Sequence, residues 1–182
     1  DSVRSQFIDL SDPDLKPTGW DSLTLPALAA PEDLSIYELH VRDFSIADST
    51  VPEAHRGKFT AFDPAIVGET NGIKHLRALT GAGLKAVHIL PPFDIATVKE
   101  NRADRVELED DVGKLCAANP AAAELCSAFP AGTSIRDAMA ASVGQTQGER
   151  PQTHEIQEWL RDLDGFNWGY DPLHFGVPEG SY

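Results

Sequence analysis

Between Phe166 and Tyr182 the chain gathers side chains suited to gripping a ligand. Phe166, Trp168, Tyr170 and Tyr182 supply flat rings, and Asp171 and Glu179 supply carboxylates. Gly169, Gly180, Pro172 and Pro178 interrupt regular structure among them. A ring face covers the C–H surface of a ligand, and its electron-rich quadrupole favours a neighbouring cation. Glycine allows close backbone approach, and proline fixes the path of the chain. A loop shaping a ligand site uses all of these, and so does a loop whose rings cover a core edge.

Three other groups of residues bear on chemistry. Ser35 to Phe44 alternates at period two, which predicts a strand with Tyr37, Leu39 and Val41 on one face. Glu38, His40 and Arg42 share the other face, and polar groups in a sheet under helices need partners. Either they point into a barrel interior or a site, with Glu38 and Arg42 pairing directly or through neighbours, or the strand faces solvent. His40 and His88 sit mid-strand and read as hydrogen-bonded core histidines, not as an acid or base. The acids Glu107, Glu109, Asp110 and Asp111 do not fit an EF-hand calcium loop and read as a solvated helix face. Cys116 and Cys126 read either as a disulfide closing a short loop in an oxidising compartment or as two buried thiols. Two cysteines without completing histidines do not make a metal site.

The elements that would position these residues follow in order. Residues 1–33, rich in proline, read as a connector rather than a domain. Pro52 to Lys58 predicts a short helix. Thr70 or Asn71 caps a helix through Thr80, with Ile73, Leu76 and Leu79 as its apolar stripe and Gly81 and Gly83 as its stop. Leu84 to Leu90 follows as a strand closed by Pro91-Pro92, completing a βαβ unit. Helices are expected at Val106–Ala118, Ala121–Ser127, Ser134–Ser142 and Thr153–Leu163, with Thr133 or Ser134 as a cap. Together they form an insertion over about 94–165, where a strand-to-helix connection usually takes about 2–6 residues. It leaves the carboxyl end of the second strand, the face where parallel α/β folds build sites. Phe93, Asp94 and the loop from Phe166 lie on that face.

Composition limits the ligand. The 182 residues carry a formal charge of −14, which disfavours nucleic acid and anionic membranes. At 41% hydrophobic the chain has material for a core but no run long enough for a membrane span.

Several segments resemble the pullulanases and limit dextrinases, starch-debranching members of the α-amylase superfamily. They are Tyr37-Glu38-Leu39-His40-Val41-Arg42-Asp43-Phe44, Val87-His88-Ile89-Leu90-Pro91-Pro92-Phe93-Asp94, and above all Asn167-Trp168-Gly169-Tyr170-Asp171-Pro172 with Val177-Pro178-Glu179-Gly180-Ser181-Tyr182. The resemblance implies an α/β fold: the first βαβ portion of a (β/α)8 TIM-type barrel, truncated here, with a long helical insertion after its second strand. Residues 1–33 would then leave a preceding β-sandwich, and 34–182 would begin the catalytic barrel. The implied activity is retaining hydrolysis of α-1,6-glucosidic branch points in pullulan, branched dextrins or glycogen. The family's catalytic carboxylates match nothing here, so none is assigned, and the remainder of the catalytic domain becomes a partner. Tyr170 matches the family's sugar-stacking tyrosine. Asp171 either binds sugar hydroxyls or braces the loop, and Trp168, Phe93 and Asp94 are weaker substrate-binding candidates. No cofactor is required, and calcium is left open. The insertion with its two cysteines resembles secreted bacterial pullulanases, implying an extracellular, cell-surface or periplasmic location. An isoamylase or branching-enzyme relative and a non-catalytic glucan-binding fragment are the competing expectations.

Overall fold

The alternating stretch at Ser35–Phe44 yields a shorter strand than expected. Strand β1 covers Ile36–Leu39, and helix α1 follows at Val41–Ser45. The computed structural model, which describes residues 7–144 and 151–182, places His40 as the cap between them. Its Nδ1 accepts a hydrogen bond from the Asp43 N–H at 3.3 Å. A side-chain acceptor there satisfies a donor that the first helical turn leaves unpaired, so the chain turns helical instead of continuing extended. His40 is buried and hydrogen-bonded as expected, but as a cap. Arg42 consequently lies on a helix and pairs with Asp43 at 3.0 Å. Glu38 reaches across the sheet to His88 at 2.9 Å, in place of the expected pairing with Arg42. His88 is exposed rather than a core histidine, because its face of the strand is open.

The chain divides into two units, residues 1–90 and 91–182. In the first, helix α2 spans Pro64–Val67, helix α3 spans Asn71–Gly81 and strand β2 spans Ala86–Ile89. The Thr70 hydroxyl accepts from the Ile73 N–H at 3.3 Å, so of the two expected caps Thr70 is the one used. Ile73 is buried, while Leu76 and Leu79 are half-buried. Strands β1 and β2 pair in parallel, from Ile36 opposite Ala86 to Leu39 opposite Ile89. The expected strand, helix, strand order is therefore present. Between Pro52 and Lys58 only a single 3-10 turn forms, at Glu53–His55, and Gly57 ends it in the left-handed region at φ +72. Val51, Ala61 and Val67 make a small core, and Phe44 stacks on Phe62 with ring centres 4.6 Å apart. The described residues before Ala30 bury nothing.

The second unit opens with strand β3, Phe93–Ile95. Helices α4 (Val112–Ala118), α5 (Ala123–Ala128), α6 (Ile135–Ser142) and α7 (Thr153–Leu160) follow, and strand β4 (Pro172–Pro178) closes the unit. Val112, Leu115, Leu125, Ile135, Ala138 and Ile156 are buried in one apolar cluster under these helices. Ser134 caps α6 through the Asp137 N–H at 3.0 Å. The helix expected at Val106–Ala118 starts only at Val112, because Asp111 caps it through the Gly113 N–H at 2.6 Å. The last helix stops at Leu160, short of Leu163, and Asp162 adopts φ +65 just beyond it. Cys116 and Cys126 form a disulfide joining α4 to α5.

The acidic cluster is not a solvated helix face. Glu107 to Asp111 form a turn that ties the helices together. The Asp110 carboxylate accepts from Arg102, Lys114 and the Glu107 N–H, and the Asp110 carbonyl accepts from the Ile135 N–H at 2.9 Å. Asp111 also accepts from the Gly132 N–H, and Glu109 pairs with Arg136. Burial pushes the Asp110 carboxyl up, but its hydrogen bonds from Arg102, Glu107 and Lys114 outweigh that and lower it to about 2.

The stretch expected to be only a loop contains β4. It pairs antiparallel with β3, with Phe93 opposite Pro178, Asp94 opposite His174 and Ile95 opposite Pro172. Phe93 and Asp94 therefore belong to an antiparallel ribbon rather than to the end of β2, where they were expected. The ribbon brings together the two ends of the helical segment.

Candidate functional site

Chemistry-bearing residues of the second unit gather where the ribbon meets the turn before it. Gly169 makes that turn at φ +77, and a Cβ there would lie 2.5 Å from the Pro91 carbonyl oxygen. Only glycine fits such a close approach, so Trp168 and Tyr170 are held on a fixed path. Below the turn, Asn167 is buried; its side-chain amide donates to the Gly165 carbonyl at 3.0 Å, and its Oδ1 accepts from the Tyr182 hydroxyl at 2.5 Å. Above it, the Asp171 carbonyl accepts from the Ala96 N–H at 2.9 Å.

The rings carried by this turn face outward. Tyr170 is 66% exposed and Trp168 65%. Phe166 meets Trp168 edge to face at 6.0 Å. Soluble proteins seldom expose a run of large rings without a use for it. Tyr182, at the end of the same stretch, is buried. Asp171 is exposed; its carbonyl braces the loop, and among the described residues no hydrogen bond or ion pair engages its carboxylate.

Carboxylates hold the ribbon from within. Glu179 is 2% exposed; its two oxygens accept from the Ile95 N–H at 2.8 Å and the Ser181 N–H at 2.9 Å. Its own N–H donates to the Pro92 carbonyl at 2.8 Å. Asp94 is 3% exposed, and its Oδ2 lies 2.5 Å from His174 Nδ1. Phe93 packs edge to face with Phe175 at 5.0 Å and is half-buried.

The structure thus places all five sequence-predicted residues in one unit but gives them different work. Tyr170, Trp168 and Asp171 lie on the outer surface of the turn. Phe93 and Asp94 lie in the ribbon, where Phe93 packs and Asp94 is buried away from solvent. Sequence reasoning did not single out His174, Asn167 or Phe175. A signal for His174 existed in its place between apolar neighbours Leu173 and Phe175, but its partner Asp94 lies 80 residues away. Among the described residues, no group of three or more His, Cys, Asp or Glu side chains is arranged to hold a metal ion. Among the same residues, no helix is long and apolar enough to cross a membrane.

The helical segment that precedes the aromatic turn is matched by a known domain. Residues 95–166 match the Pullulanase Ins domain. The wider resemblance extends along the whole chain. It is 37% identical to a pullulanase of Klebsiella pneumoniae over all of its length, and spans 17% of that relative. It is 34% identical, again over all of its length, to the chloroplastic pullulanase 1 of Arabidopsis thaliana and spans 16% of it. The crystal structure of the Klebsiella pneumoniae pullulanase complexed with maltotriose superposes on 98% of this chain with a TM-score of 0.83 at 35% identity, the match spanning 17% of that structure. The chain is thus similar from end to end to one segment of the pullulanases, as its motifs led us to expect.

Proposed function

We propose that this chain is the substrate-facing segment of a pullulanase-type debranching glycoside hydrolase. The observation that carries the reading is the whole-chain similarity to pullulanases, which includes the turn that displays Trp168 and Tyr170. The substrates are α-glucans with α-1,6 branch points: pullulan, branched dextrins or glycogen. The maltotriose bound by a solved relative supports a ligand of this class. The parallel β1–β2 pair with α3 in its connection supports a (β/α)8 barrel beginning at about residue 34, with residues 1–33 leading into it from a preceding domain.

In this reading the chain supplies one wall of the site and the remainder of the catalytic domain supplies the rest. Hydrolysis with retention needs a carboxylate nucleophile and a carboxylic acid at the glycosidic oxygen. Those two groups come from outside this chain. Tyr170 lays its ring against the sugar at the cleaved bond. There it excludes water and presents an electron-rich face to the oxocarbenium-like charge. Asp171 offers its carboxylate to sugar hydroxyls, and Trp168 extends the stacking surface. The Cys116–Cys126 disulfide supports secretion to an oxidising location, the periplasm, cell surface or medium.

The test uses the full-length enzyme that carries this chain, assayed on pullulan and on glycogen. Tyr170→Ala is expected to lower kcat/KM on pullulan by more than about tenfold, whereas Tyr170→Phe stays within about twofold, because the ring face rather than the hydroxyl does the work. Equal activity of Tyr170→Ala and the unaltered enzyme removes the stacking role. Failure of the unaltered enzyme to cleave pullulan removes the debranching reading.

A further inference from the structure

We propose that His174 is an additional glucan-binding residue and that Asp94 is the residue that positions it; this rests on the debranching reading above. The two stand opposite each other in the β3–β4 ribbon, with Asp94 Oδ2 and His174 Nδ1 2.5 Å apart. Asp94 is almost wholly buried, yet its Oδ1 has no hydrogen-bond partner among the described residues. A buried carboxylate with one oxygen unpaired weakens a fold. Glu179, in the same ribbon, shows the contrast: both of its oxygens receive backbone N–H groups. Stability therefore accounts for Glu179 and not for Asp94.

What Asp94 does accomplish is to accept a hydrogen bond from the Nδ1–H of His174. That fixes the plane of the imidazole and leaves Nε2 as its acceptor. The imidazole is 40% exposed, and no other hydrogen bond engages it among the described residues. The residue stands four positions beyond Tyr170, on the strand whose start is fixed by the Asp171 carbonyl and the Ala96 N–H. An imidazole nitrogen four residues from an exposed aromatic turn suits a neutral polyhydroxylated ligand, since the rings cover C–H surface and Nε2 accepts a hydrogen bond from a hydroxyl. The carboxylate behind it disfavours an anionic ligand.

The experiment uses the full-length enzyme, with pullulan as substrate and maltotriose as the binding probe. Both His174→Ala and Asp94→Asn are expected to raise KM for pullulan about fivefold, with kcat within about twofold and the maltotriose Kd rising in parallel. The double variant should be no worse than His174→Ala, because Asp94 acts through the histidine. Asp94→Asn should leave Tm unchanged or raise it, since it removes a half-paired buried charge. A lowered Tm with unchanged KM and Kd in Asp94→Asn would mark Asp94 as purely structural and overturn the proposal. Unchanged KM and Kd in His174→Ala, with wild-type turnover, also overturns it and leaves the debranching reading standing. If His174→Ala lowers Tm by several degrees, His174→Phe decides the matter. It keeps an aromatic ring without the acceptor, so it must still raise KM and Kd, and unchanged values sink the proposal.

Discussion

The helical segment and the ribbon beside it are built on different plans. In the helical segment the interior is apolar, from Val112 to Leu160, and the charges lie towards the surface as pairs such as Asp110 with Arg102 and Lys114. In the ribbon and its turn, buried Ile95 and Tyr182 share the interior with polar groups, and large rings lie outside. Asp94, Asn167, Glu179 and Ser181 are inside, while Phe166, Trp168, Tyr170 and Phe175 are outside. Apolar burial drives folding, so the first plan gains stability directly. The second gives up part of that gain and holds its shape with directed hydrogen bonds, leaving ring faces in solvent. The two regions share one unit but differ in plan, and the second is the one we propose for recognition.

Substitutions of graded severity sharpen that contrast. The largest effect on folding is expected from Leu125→Ala, which empties a fully buried position of the helical core and should cost about 3 kcal/mol in denaturant unfolding of this chain. A cost below about 1 kcal/mol would break the assignment of stability to that core. Replacing both Cys116 and Cys126 by Ser should cost about 2.5 kcal/mol, the chain-entropy value for so short a loop, measured as a lower unfolding midpoint. Acid should reveal the Asp110 turn next. Its carboxyl is lowered from 3.8 to about 2 on folding, so the unfolded chain binds its proton first as pH falls. Its contribution is present above about pH 4 and is lost between about pH 4 and 2, and solvent screening reduces it to about 1 kcal/mol. Comparing unfolding of the chain and of Asp110→Asn across that range measures it; a difference that grows towards low pH would contradict the sign. The smallest effect belongs to the other plan. Trp168→Ala should change the stability of this chain by no more than about 0.5 kcal/mol, because its ring is mostly in solvent. A loss near the Leu125 value would make Trp168 a core residue and dissolve the contrast.

Much of the local architecture was readable from residue types. Thr70 and Ser134 announced helix starts that the structure uses, since a hydroxyl facing unpaired N–H groups is a local interaction. The α3 stripe and the β2 run likewise follow from spacing along a few residues. His40 misled because alternation over Ser35–Phe44 fits a strand as far as it goes, while a histidine cap has no periodic signature. The acids at 107–111 misled for a related reason. Their helix-like density does not reveal that Arg102, Lys114 and the Ile135 N–H, spread over 33 residues, converge on Asp110.

The candidate site divides along the same line. The aromatic residues and glycines of the turn were visible in the sequence, and so was the similarity of that turn to those of debranching enzymes. Which rings face outward was not, nor was the ribbon that aims them. A three-residue strand such as Phe93–Ile95 carries almost no periodic signal, and its partner enters only after the whole helical segment. Sequence by itself determined the Thr70 and Ser134 caps, the βαβ order and the chemistry on offer at Phe166 to Tyr182, because these depend on neighbours a few residues apart. Only tertiary structure decided that Asp94 meets His174, that Glu179 closes the ribbon and that Tyr170 stands clear of both. Those outcomes depend on which distant groups reach a buried donor or acceptor, and pairing over such a distance leaves no mark in local spacing.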